Sequence, residues 1–348
     1  MNGNFTLCSG INRAEAVESL VKAGAGELYC GVNINENMNS VGTMGITRRG
    51  SLPHNVRDMA ELAELIDEAS RFGVPVNLLM NVAYRDEQFP LLMSVLEKAV
   101  AAGISNLVVK DIGLALQVRK NFPKLGLHAS STLGVGTGDA AKLLKDMDFK
   151  RIILPREIEF SSAKKMASTK IELELLFYRE RCFFDDSHCY FHHNVTLPDM
   201  GHFSYLRSKP LTELRNALPM FMFAHLQNGF LRFQPSPAGC MQHYKPADTD
   251  RKARVAKKFL KRLRSHEQNW ACGACILPEA YASKIRYLKI VNRSLDPVFQ
   301  MKSVAFAKSV VEAYQKAADR QDFQSACKSL YRRAHAVMNC ETKCSFPV

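Results

Sequence analysis

Residues 5–32 read FTLCSGINRAEAVESLVKAGAGELYCGV. Two short apolar runs, Phe5–Ser9 and Leu28–Val32, flank an amphipathic stretch, AEAVESLVKAGA, whose Gly/Ala ending suits a helix C-cap. Strands separated by a helix of this length call for a βαβ unit and a parallel sheet. The alternation continues down the chain. Further strands are expected at Val76–Asn81, Leu107–Asp111, Leu127–Ser131, Arg151–Leu154 and Glu172–Phe177. Between them lie helical patterns such as DMAELAELIDEASRFG and LLMSVLEKAVAAG, stopping at Gly73 and Gly103 as the first stops near Gly24. An eighth strand, Tyr287–Val291, comes after a long interval, and SVAFAKSVVEAYQKAADR then reads as a helix. Eight such units predict an α/β fold, a TIM-type (β/α)8 barrel with a cysteine-bearing insertion between strands seven and eight. The expected divisions are 1–180 for the first seven units, 181–285 for the insertion, 286–325 for the last strand and helix, and 326–348 for a tail.

The composition is that of an ordinary globular chain: 348 residues, 47% hydrophobic and 23% charged, with 19 Gly and 14 Pro. That excludes disordered, collagen-like and coiled-coil classes. No apolar run approaches the roughly 18 residues of a membrane span. The opening MNGNFTLCSGINRAEAVESL lacks a basic region followed by an apolar stretch, so no secretory signal is expected and the location is read as cytoplasmic. The net charge of +13 favours polyanionic partners such as RNA or phosphorylated metabolites. Residues 251–264, RKARVAKKFLKRLR, hold eight basic residues and no acid. They read first as a solvated basic helix packed by Val255, Phe259, Leu260 and Leu263, and alternatively as an RNA or anionic-membrane contact.

Several strands end in polar residues: Asn81, Asp111, Ser130 with Ser131 and Thr132, and Arg156 with Glu157. The carboxyl ends of barrel strands form the active-site face, although any one such residue also serves as a helix cap. No Gly-rich phosphate loop, GxSxG or HExxH occurs. His188, His192, His193 and His202 sit in an aromatic-rich stretch and read as exposed or hydrogen-bonded histidines before zinc ligands.

Of ten cysteines, five lie between 182 and 275. Cys182 and Cys189 form C-x6-C, Cys240 stands in SPAGCMQHYKP, and Cys272 with Cys275 forms C-x2-C. Four thiolates from this set suit tetrahedral zinc or an iron–sulfur cluster, and spacing leaves both open. Cys8, Cys30 and Cys327 fall in strand or helix patterns and read as buried thiols, while Cys340 and Cys344 are a second metal contact or part of a tail.

Taken in order, these elements resemble the collagenase-like peptidase family U32 over roughly residues 5–310. FTLCSGINRAEAVESLVKAGAGELYCG is similar to the family's opening, and LVVKDIG, LHASST and ILPREIEF resemble its fourth, fifth and sixth strand ends. LKIVNR resembles its "LKIEGR" signature, keeping Lys289 and Arg293. Cys182 and Cys189 match its C-x6-C, Cys240 its "C-x-Q" cysteine, and Cys272 its fourth cysteine, with Cys275 close enough to compete. The resemblance implies a 4Fe-4S cluster on these four cysteines. It also implies oxygen-independent hydroxylation of an aromatic or heteroaromatic substrate, a small molecule or an RNA base, with a prephenate-like oxygen donor.

On that reading Glu157, Asp111 and Lys289 are the catalytic candidates, and Arg156, Arg293, Asn81, Ser130 and Tyr178 line the substrate pocket. Arg156 and Arg293 would hold carboxylates of the donor, and Glu157 or Asp111 would move protons. The alternative for each is a structural ion pair at the barrel mouth. Tyr178-Arg179 stands where the family has "HG", and Val291-Asn292 replaces the Glu-Gly of "KIEGR". These departures favour a non-catalytic iron–sulfur subunit or RNA-binding partner as the second reading. A peptidase comes third, for want of a recognisable nucleophile arrangement. The segment 190–250 reads as packing over the cluster, or as a lid or a contact in a homo- or heterodimer.

Overall fold

The computed structural model describes residues 4–34, 46–48, 54–156, 158–178, 272–293 and 295–335. Eight parallel strands close into a barrel in sequence order, with the last paired to the first. They are β1 Thr6–Gly10, β2 Glu27–Cys30, β3 Val76–Met80, β4 Asn106–Val109, β5 Gly126–Ala129, β6 Phe149–Ile153, β7 Glu172–Tyr178 and β8 Tyr287–Ile290. The TIM-type barrel expected from the alternation is therefore present, each strand within a few residues of its expected place.

The helices form the outer layer: α1 Val17–Ala23, α2 Met59–Arg71, α3 Phe89–Ala101, α4 Ile112–Asn121, α5 Gly138–Asp146, α6 Phe160–Ala167, α7 Leu277–Ala282, α8 Pro297–Lys316 and α9 Arg320–His335. Helix α2 shows why these segments are helical. Asp58 caps it, accepting from Glu61 N at 2.9 Å, and Leu62, Leu65, Ile66 and Ala69 recur on one buried face. The chain then reverses at Gly73, whose φ of +66° disfavours a side chain. Gly24 and Gly103, at +115° and +98°, end their helices in the same way. The main core fills the space between sheet and helices, with Leu28, Leu78, Leu107, Leu127 and Leu288 pointing outward from the strands.

The tail expected from residue 326 begins as helix instead. Phe323, Cys327 and Tyr331 recur every four residues and are buried, so α9 packs along α8 with Tyr331 edge-on to Phe306 and Phe323 edge-on to Tyr314. No helix among the described residues is long and apolar enough to cross a membrane. Glu157, Cys182, Cys189, Cys240, Cys340, Cys344, the basic stretch 251–264, the four histidines and the segment 190–250 lie outside the described residues.

Candidate active site

The inward positions of the strands carry charge where a barrel usually packs branched apolar residues. Glu27, Arg151, Glu174 and Lys289 are all buried inside it. Arg151 grips Glu27 with both ends of its guanidinium, Nη1 donating to Oε2 at 2.7 Å and Nη2 to Oε1 at 2.8 Å. The same Nη1 reaches Glu174 Oε2 at 3.1 Å, and Nε reaches Glu172 Oε2 at 3.1 Å. Lys289 Nζ donates to Glu174 Oε1 at 2.8 Å. Aromatic rings close the network, with Lys289 Nζ 3.7 Å from the Tyr29 ring centre and Arg151 Cζ 3.3 Å from that of Tyr287. Asn77 Nδ2 adds a donor to Glu27 Oε2 at 3.0 Å, and Asn106 Nδ2 in turn holds Asn77 Oδ1 at 2.7 Å. Sequence reasoning missed Glu27, Arg151 and Glu174. The available signal was a charge at alternate positions of strands that also pair apolar residues outward, as in ELYC and ELELLFY.

The ionisation of these groups follows from their neighbours. Burial alone would push the Glu174 carboxyl up, but Lys289 and Arg151 outweigh it and hold the pKa at about 2. Burial opposes charge on Lys289 as well, yet Glu174 raises its pKa above the usual lysine value. A lysine used as a proton acceptor is shifted the other way. Lys289, expected to be catalytic, is buried in the barrel interior and paired there with Glu174.

His128, opposite Arg151 in register, is 1% exposed, and its Nδ1 has no hydrogen-bond partner among the described residues. Burial and the Arg151 charge push its pKa down to about 3. An unfolded chain would protonate it near its ordinary value of 6.5. Between those values the unfolded state binds a proton that the folded state refuses, so stability falls as pH drops from 6.5. The expected slope approaches about 1.4 kcal/mol per pH unit. His128→Leu should flatten the fall in urea-unfolding stability between pH 6.5 and 5, and an unchanged slope would assign that proton elsewhere.

Above this network the strand ends bring other residues together. Asn81 follows β3, accepting from Arg48 N at 3.1 Å on its side chain, with its carbonyl 3.5 Å from the Thr132 hydroxyl oxygen. Ser130 Oγ accepts from the Thr132 hydroxyl at 2.9 Å. Thr47 Oγ1 donates to Asn55 Oδ1 at 3.2 Å, and a Cβ added at Gly31 would lie 2.3 Å from that Asn55 oxygen and 2.9 Å from Arg293 Nη1. Segment 46–48 therefore meets Asn81 through Arg48 N and Asn55 through Thr47, and Arg293 Nη1 lies beside the same Gly31.

Arg293 is held by its neighbours on the loop after β8. Asn292 Oδ1 accepts from Gly10 N at 2.8 Å and Asn292 Nδ2 donates to Ser9 Oγ at 3.1 Å, tying the loop to the end of β1. Gln300 Nε2 donates to Asn12 Oδ1 at 3.0 Å and to the Asn292 and Arg293 carbonyls at 3.3 and 3.4 Å. Glycine is required at position 10, because a Cβ would come within 2.7 Å of Arg293 N.

Other expected residues stand elsewhere. Asp111 caps α4, accepting from Leu114 N at 2.9 Å and from Tyr84 N at 3.1 Å, so its carboxylate is spent on backbone donors. Arg156 is half-buried on the turn beyond β6. Tyr178 does not line the mouth. A register shift between Leu176 and Tyr178 sets Tyr178 opposite outward-facing Ile290, and its ring packs 4.7 Å from Phe306 of α8. One bulge residue turns the side chain to the other face of the sheet.

The two cysteines of the C-x2-C are also separated. Cys272 is buried and forms an antiparallel bridge with Tyr178, and its Sγ accepts from Ala274 N at 3.4 Å. Cys275 is half-buried on the 3-10 turn Ala274–Ile276, packed against the core that also holds Cys327 of α9. Among the described residues no group of three or more His, Cys, Asp or Glu could hold a metal ion. Cys272 fits a cluster in its own right. It is a buried thiol with a backbone N–H directed at its sulfur, and Tyr178 beside it precedes Cys182 by only four residues.

Residues 12–201, more than half of the chain, match the family model described as Peptidase family U32. The chain belongs to this family. This U32 protein is 25% identical over 157 residues to the 23S rRNA 5-hydroxycytidine C2501 synthase of Escherichia coli, covering 45% of this chain and 23% of that protein. It is 26% identical over 138 residues to the tRNA hydroxylation protein P of Haemophilus influenzae, covering 39% and 30%. It is also 24% identical over 172 residues to a collagenase of Porphyromonas gingivalis, covering 49% and 37%. Each match to the U32 chain therefore spans well under two thirds of the relative's length.

Proposed function

We propose that this U32 chain hydroxylates a base of a structured RNA without molecular oxygen, holding a 4Fe-4S cluster on Cys182, Cys189, Cys240 and Cys272. The observation that carries this reading is the likeness to proteins named for rRNA and tRNA hydroxylation. When bound, the cluster would supply electrons or, through an open iron, a Lewis acid for a substrate oxygen. The chain's own contribution lies at the rim. Arg293, locked by Asn292 and Gln300, presents a guanidinium suited to a phosphate or to the carboxylate of a prephenate-like donor. Asn81 and Ser130 supply amide and hydroxyl groups on the facing side. Glu157 stays the candidate for moving a proton, since Asp111 and Lys289 are committed to a cap and an ion pair.

Tyr178 was one of the departures that favoured a non-catalytic subunit, but its ring lies among the helices, so that change leaves the mouth untouched. A small aromatic metabolite would fit the same groups; the charge of +13 favours RNA. The test is protein purified without oxygen, with iron and sulfide counted. Alongside it, nucleosides of total RNA from cells with and without the gene are compared by mass spectrometry. About four irons and four sulfides per chain and one hydroxylated nucleoside lost with the gene are expected. A colourless protein holding one zinc would sink the proposal. A second reading, a peptidase, draws on the collagenase relative. Cleavage of a collagen peptide by the same preparation, with nucleosides unchanged, would put it first.

A further inference from the structure

Two large apolar side chains stand exposed side by side at the open end of the barrel. Val298 and Phe299 are 52% and 49% exposed in the first turn of α8, which follows β8 and the loop carrying Arg293 on the carboxyl-terminal face. We propose that the Phe299 ring is a stacking platform for an unpaired nucleobase of RNA, with Lys302 beside it for the adjoining phosphate. The platform rests on the RNA reading above and would hold a nucleotide beside the one that reacts.

A single exposed apolar residue is ordinary. Charge and mounting set Phe299 apart. Lys302, exposed and one turn on, holds its Nζ 5.6 Å from the ring centre, which leaves the other side of the ring to a base and puts a cation within reach of its phosphate. The first turn of α8 carries no acid, and its capping carboxylate, Asp296, accepts from Val298 N at 2.9 Å. The positive end of this 20-residue helix lies here too. The ring also stands on a fixed mount. Pro297 opens the helix, and the Ser303 hydroxyl donates to the Phe299 carbonyl at 2.6 Å. The next residue, Gln300, is buried and donates to Asn12 Oδ1 at 3.0 Å and to the Arg293 carbonyl at 3.4 Å. An aromatic side chain loses little freedom on binding, and every base has a face to lay on it. Ring and charge together suit a nucleotide better than an apolar helix or a second copy of the chain, either of which would have to desolvate Lys302.

The test titrates the full chain, purified without oxygen, into a short fluorescein-labelled single-stranded RNA of mixed sequence at several salt concentrations. Phe299→Ala should weaken binding about tenfold, the worth of one stacked base, with the salt dependence unchanged. Phe299→Trp should restore the affinity. Lys302→Ala should lower the slope of log affinity against log salt by about 0.7, one phosphate on a single strand. Phe72→Ala, which removes an exposed ring where α2 ends at the opposite end of the barrel, should change nothing. Equal binding by the parent and Phe299→Ala would overturn the proposal and leave the RNA reading standing. No binding by the parent would overturn it as well, while the nucleoside analysis still judges hydroxylation by itself. A parent dimer in sedimentation that Phe299→Ala splits into monomers would overturn it by giving the ring to a second copy. Should Phe299→Ala not fold, ultraviolet cross-linking of the parent to the same RNA decides. A nucleotide attached at Phe299 supports the platform, and attachment only elsewhere overturns it.

Discussion

Arg151→Met should destabilise the barrel by about 3–5 kcal/mol, the usual cost of stripping one partner from a buried ion pair. Four of the contacts inside the barrel end on this guanidinium: two to Glu27, one to Glu174 and one to Glu172. Among the described residues, its removal leaves Glu27 without a cation in contact and Glu174 with Lys289 alone. Methionine fills much of the volume, so the loss reads charge more than packing. Urea unfolding followed by circular dichroism measures it. The triple change Arg151→Met, Glu27→Gln and Glu174→Gln should recover part of that loss, because no carboxylate is then stranded. A single-variant loss below about 1 kcal/mol would mean that water reaches the carboxylates and that the network is not dry.

The network also accounts for the LKIVNR segment. Lys289 points into the barrel and joins β8 to Glu174 of β7, while Asn292 and Arg293, both buried, follow the end of β8, and Asn292 is tied to β1. One short stretch thus fixes the last strand from below and presents the rim arginine above. A side chain near reacting groups has to be held to within about half an ångström, and buried, fully paired groups do this better than a loop alone.

The barrel was legible because its local signals agreed. Gly24, Gly73 and Gly103 marked the helix ends they mark in the structure, and the alternation of strands and helices admitted few topologies. The interior was less legible, since whether Glu27 or Glu174 faces water or the barrel axis depends on strand parity in a closed sheet. Tyr178 shows the limit most directly. A single bulge, invisible in the run ELELLFY, sent its ring outward. Asp111 was ambiguous for a different reason, as the end of a strand is also the start of the next helix and one carboxylate suits both tasks. Cys272 and Cys275 lie three residues apart and looked equivalent; the bridge that Cys272 makes to Tyr178 tells them apart.

That difference makes the sharpest prediction about the cluster. Cys272→Ser should lose nearly all iron and sulfide and the broad visible absorbance of protein purified without oxygen, while Cys275→Ser should keep them. On the proposed cluster, removing one thiolate of four would leave an iron with a poorer ligand at a buried position, since serine oxygen is a harder donor than thiolate. Cys272 lies against the end of β7, from which the chain continues to Cys182, whereas Cys275 stands on the following 3-10 turn, packed against the core. Nucleoside analysis should follow the metal, with the hydroxylated base absent in cells carrying Cys272→Ser and retained in cells carrying Cys275→Ser. Full iron in Cys272→Ser with loss in Cys275→Ser would exchange the two assignments. Full iron in both would place all of the ligands beyond this motif. Iron loss with hydroxylation intact would separate the cluster from the chemistry and leave the rim around Arg293 to account for it.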